Sequence, residues 1–87
     1  MTNKRDSKEL ISKGYRMLMH PGDIVWWVPI KEVKQGEFLK LSLDANEVWT
    51  RQEYDREAKR YSIHSEDDIS KSRLIKGTRK VFIGFTY

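Results

Sequence analysis

The sequence predicts an α+β fold: a small antiparallel sheet of three to four strands, an N-terminal helix, and one or two short helices in the C-terminal half. All of it fits a single domain, residues 1–87. Three observations carry this reading. Ile24 to Val28 is a run of β-branched and aromatic residues, a strand signature. Thr50-Arg51-Gln52-Glu53 spells a capping box, and Trp49 and Tyr54 occupy the two positions of a hydrophobic staple, so two helix-start signals coincide. Val81, Ile83, Phe85 and Tyr87 alternate with Phe82, Gly84 and Thr86, which is the period of a strand.

Taken in order, Asp6 or Ser7 can cap a first helix whose face is Leu10, Ile11, Gly14, Tyr15 and Leu18. Gly14 costs that helix about 1 kcal/mol relative to Ala. The alternative is that Gly14 ends a short helix and Tyr15 to His20 run extended; the longer helix is preferred. Pro21-Gly22 is a turn signal. Asp23 to Ile30 is the surest strand, and its consecutive apolar residues imply cover on both faces, one by a helix and one by a partner or ligand. Pro29 lacks an N–H, so the strand ends or lies at an edge there.

Lys34-Gln35-Gly36-Glu37 turns the chain into an alternating strand, Phe38 to Leu43. Asp44-Ala45-Asn46 reads as a hairpin loop and Glu47 to Trp49 as a short third strand. The capped helix then places Tyr54, Ala58 and Tyr61 on one face, while residues 58–64 can be read as helix or strand. Ser65-Glu66-Asp67-Asp68 starts a second helix over roughly 66 to 75, with acids at its positive end and Lys71, Arg73 and Lys76 further along. Gly77 fits just past its end. The final strand runs from Lys80 to Tyr87. The expected core is Leu10, Ile11, Leu18, Val25, Leu39, Leu41, Tyr54, Ala58, Ile69, Val81 and Ile83.

A chain of this length buries roughly two-thirds of its unfolded surface, so its stability is thin. There is no cysteine, hence no disulfide and no thiolate metal site. Ten aromatic side chains argue against disorder and can fill most of a small core. The N-terminus has no secretory pattern, and the longest apolar run, Ile24 to Ile30, is far too short for a membrane span, so a cytoplasmic protein is expected. His20 and His64 have no metal-site spacing, and no nucleophile triad, P-loop or dinucleotide fingerprint is present. The chain is therefore expected not to be an enzyme and to need neither cofactor nor metal.

Gly22-Asp23-Ile24-Val25-Trp26 resembles the opening strand of MazF/PemK-type toxin ribonucleases and of small SH3-like barrels. The Arg-Pro that such toxins carry shortly afterwards is absent, so no catalytic residue is carried over. Val81-Phe82-Ile83-Gly84 resembles the RNP2 strand of RNA-recognition domains, but Phe85 and Thr86 depart from the pattern and the strand is last rather than first. Arg51 to Ile75, read as two helices with Gly77-Thr78 leading into a strand, resembles a winged helix-turn-helix. Glu66, Asp67 and Asp68 would then repel phosphates at the start of the recognition helix, so the pair reads as structural.

Charge is the strongest functional lead. The net charge is +4, the stretch 46–70 is acidic, and the last 17 residues carry Lys71, Arg73, Lys76, Arg79 and Lys80 with no acid. Such a tail can neutralise phosphates without reading sequence, so DNA or RNA is the expected partner. The competing expectation is a protein-interaction module, an inhibitor or adaptor, with Trp26, Trp27, Phe85 and Tyr87 at its interface. Self-association to a homodimer through an exposed C-terminal strand edge is the third.

Overall fold

The computed structural model describes residues 7–20, 23–68 and 70–85. Among these residues seven strands form two antiparallel sheets, and helix is confined to one short segment and a single 3-10 turn, so the expected α+β class is corrected to one close to all-β. The elements are α1 (Ser7–Ser12), β1 (Arg16–His20), β2 (Asp23–Pro29), β3 (Phe38–Leu39), β4 (Trp49–Asp55), β5 (Arg60–Ser65), β6 (Ser72–Ile75) and β7 (Lys80–Ile83). One sheet has the order β1-β2-β7 and the other β3-β4-β5-β6. Lys40 and Phe82 exchange backbone hydrogen bonds and tie the two together.

Gly14 settles the first element. It takes φ +83°, the left-handed region that favours glycine, and the Gly14 N–H donates to Ile11 while the Tyr15 N–H donates to Leu10. These are the two bonds of a Schellman stop, closed by Tyr15 packing with Leu10 against the core. The helix therefore ends at Ser12, Arg16–His20 pairs with β2, and Ile11 stands 62% exposed rather than in the core.

The capping box at Thr50 is overridden by pairing on both sides. Thr50 faces Phe38 across one ladder and His64 across the other, and its hydroxyl donates to Glu66 instead of serving a helix amide. Two ladders outweigh one local cap, so β4 runs to Asp55 with a bulge between Arg51 and Tyr54. The turn after it is closed by the Asp55 carboxylate, which accepts from the Glu57 and Ala58 amides, and by Lys59 at φ 55°. Ala58 is thus at an exposed turn, not between helices, and Arg60–Ser65 is strand.

The second helix start fails similarly. The buried Ser65 hydroxyl accepts from the amides of Asp67 and Asp68, and Asp68 accepts from the Ser70 amide and hydroxyl. These are helix-capping contacts used to close a loop, after which β6 pairs with β5. No helix pair and no winged helix-turn-helix is present among the described residues. The expected strand at 38–43 shortens to Phe38–Leu39, and the third strand begins at Trp49 instead of Glu47.

The main core gathers Leu10, Trp26, Val28, Ile30, Val33, Leu39, Trp49, Ile63, Ile75, Val81 and Ile83. A second cluster of Val25, Val48 and Phe85 covers the other face of β2, with Leu18, Phe38, Leu43 and Phe82 against it. Of the expected core, Leu18 and Leu41 are half-buried and Tyr54 is exposed. Asp6, Pro21-Gly22, Ile69, Thr86 and Tyr87 lie outside the described residues. Gly84 has φ +85°, and a Cβ there would sit 3.1 Å from the Trp26 ring, so the backbone closes directly over the indole. β7 ends its three-stranded sheet: it pairs with β2 along one side and meets Lys40 through a single bridge on the other.

Candidate functional site

The five bases of the C-terminal segment do not form one surface. Lys71 is taken up by Glu47, with Nζ 2.9 and 3.1 Å from its carboxylate oxygens. Lys80 lies with Nζ 4.4 Å over the Trp27 ring. Arg73, Lys76 and Arg79 line a shallow groove of about 390 Å³ together with Arg60 and Thr78. The exposed Leu74 and the buried Ile75 complete its wall.

Arg60 belongs to this groove although it lies in the net-acidic stretch 46–70. The β5–β6 register, Tyr61 opposite Ile75 and Ser62 opposite Leu74, carries the start of β5 to the end of β6. The backbone then turns at Gly77-Thr78 and brings Arg79 round, with the Ile30 N–H donating to the Arg79 carbonyl. None of the four cations makes an ion pair among the described residues. The period-two pattern of Arg60, Ser62 and His64 was the available signal; the partner strand was not. A neighbouring groove shares Leu74 but carries Glu53 and Asp55, so the wall changes sign within one strand pair.

The two adjacent tryptophans part company. Trp26 is 4% exposed and belongs to the core, and Phe85 is buried too, so neither is free to anchor a partner. Trp27 is 41% exposed. Its ring lies 6.2 Å from that of Phe82, with 13° between planes. Arg16 stands opposite Trp27 across β1–β2, and Lys40 places Nζ 5.0 Å over Phe85. No sequence pattern marks Arg16 or Lys40; each reaches this face through register alone.

On the opposite sheet, Ser65 and Glu47 form a small polar anchor. The fully buried Ser65 hydroxyl donates to Glu47 at 2.9 Å, and Lys71 closes the same carboxylate. Lys71 first, and Ser65 second, hold the Glu47 carboxyl below its ordinary 4.5. A carboxylate with a depressed folded value stabilises the fold above its unfolded value and loses that contribution as pH falls through the lower folded one. Thermal melting should therefore worsen as pH drops below about 4.5, and Glu47→Gln should melt lower at neutral pH with a shallower acid decline. Melting curves of the two proteins from neutral to acid pH check this, and parallel curves would contradict it.

Among the described residues no cluster of three or more His, Asp or Glu side chains could hold a metal, and no helix is long and apolar enough to cross a membrane. No protein-family model, curated protein or solved structure matches this chain.

Proposed function

We propose that this protein is a small non-catalytic binding module that holds the backbone phosphates of a nucleic acid in the Arg60–Arg73–Lys76–Arg79 groove. The observation that carries this is four cations around one cavity with no acid in its lining. Arginine forks suit phosphate oxygens, and the Thr78 hydroxyl adds a neutral donor. Such contacts position a nucleic acid without reading its bases. Affinity should then fall linearly on a log–log plot against salt, with a slope for duplex DNA of roughly −3 to −4 if all four cations engage. Anisotropy titrations across a salt series measure that slope. Absence of binding at low salt, where the attraction is strongest, would refute the reading.

The half-exposed Trp27 supports a second reading, an inhibitor or adaptor that anchors a protein partner. A pulldown with nuclease treatment separates the two, since only a protein partner survives the nuclease and is lost with Trp27→Ala.

A further inference from the structure

We propose that the Trp27 face takes the unpaired bases of a single-stranded nucleic acid, whose backbone leaves the groove at Arg79. This rests on the phosphate-holding reading of the groove and names the form of nucleic acid that fits it.

The first support is the ring pair. Trp27 and Phe82 face each other across β2–β7, nearly parallel, and Phe82 packs on the Val25–Val48–Phe85 cluster. The pair therefore stands on a supported sheet and not on a mobile loop. An aromatic surface of this kind is what unpaired bases stack on, whatever their identity.

The second support is charge. Arg16, Lys40 and Lys80 surround the pair, and none is in an ion pair among the described residues. Lys80 is held over Trp27 only through the ring face. That contact is weak at an exposed site, so the ammonium can swing to a phosphate and leave the indole to a base.

The third support is continuity. Arg79 lines the groove and Lys80, the next residue, covers Trp27, with consecutive Cα atoms about 3.8 Å apart. The groove and the ring pair are thus served by neighbouring residues, whose side chains alternate between the two faces of the chain. A duplex cannot use the rings, because its bases are already stacked inward. A surface acting by charge alone would favour the duplex, whose charge density is higher. Preference for the single strand is therefore diagnostic.

The test uses the whole protein with three probes: a labelled 15-mer of oligo-dT, the same strand paired with oligo-dA, and inorganic polyphosphate. Wild type should bind oligo-dT more tightly than the duplex and show quenching of tryptophan fluorescence, since Trp26 and Trp49 are buried. Trp27→Ala should weaken oligo-dT binding roughly tenfold to hundredfold and leave duplex and polyphosphate binding about unchanged. Trp27→Phe keeps a ring and should keep most of the affinity, which separates stacking from damage to the fold. Oligo-dT binding unchanged in Trp27→Ala overturns the inference while the groove stands. Oligo-dT binding that depends on Trp27 but is indifferent to Arg73→Glu, Lys76→Glu and Arg79→Glu together overturns the groove and leaves the stacking surface. Poly-glutamate displacing oligo-dT as well as unlabelled oligo-dT does overturns the inference in favour of an acidic protein.

Discussion

Trp26→Ala should leave a chain largely unfolded at 25 °C, while Trp27→Ala beside it should fold. Trp26 is in the main core, opposite Ile83 on β7 and Met17 on β1, with the Gly84 backbone against its ring. Removing a buried indole costs about 3–5 kcal/mol, because the cavity collapses only partly. A domain of this length has roughly 4–13 kcal/mol of stability in total, and small domains lie at the low end. Trp27 loses only a ring contact and a cation contact, about 1–2 kcal/mol together. Urea unfolding followed by circular dichroism distinguishes the two variants. A Trp26→Ala protein within about 1 kcal/mol of wild type would mean that the indole is not part of a packed core.

Arg73→Glu, Lys76→Glu and Arg79→Glu together should weaken nucleic-acid binding on the order of hundredfold or more at low salt, and flatten the salt dependence by about three units of slope. All three side chains are exposed, so the fold should tolerate the change. Lys71→Glu should behave differently. Lys71 is already neutralised by Glu47, so its reversal should cost some stability and leave the salt slope nearly intact. By charge alone Lys71 and Arg79 are equivalent; the structure separates them. Equal losses of binding from the two single reversals would show that the segment acts as an unstructured basic tail, and that the groove has no special part.

The local patterns that proved reliable are those in which one residue type leaves the backbone few choices. The β-branched and aromatic run at 24–28 forms β2, the alternation at 80–83 forms β7, and the turn before Phe38 uses Gly36 at φ 87°. Charge was legible as composition: the same five bases are where the sequence puts them, but only three of them meet. The capping signals at Thr50 and Ser65 misled, because a side chain that can satisfy the first amides of a helix can equally satisfy those of a turn. Which of the two forms depends on whether a partner strand is present, and that partner lies far away in sequence.

By itself the sequence determined a cysteine-free domain with two firm strands, a helix start near Ser7, two tryptophans on opposite faces of one strand, and an excess of cations at its C-terminal end. Only the tertiary structure decided that Gly14 would stop the helix, that β4 and β5 would replace the expected helices, that Trp26 would turn inward and Trp27 outward, and that Arg60 would join Arg73, Lys76 and Arg79. The physical reason is common to the last three, whereas Gly14 stops its helix through local bonds to Ile11 and Leu10. Alternation along a strand says which residues share a face, but the register with a distant strand decides which face is buried and which side chains meet across it.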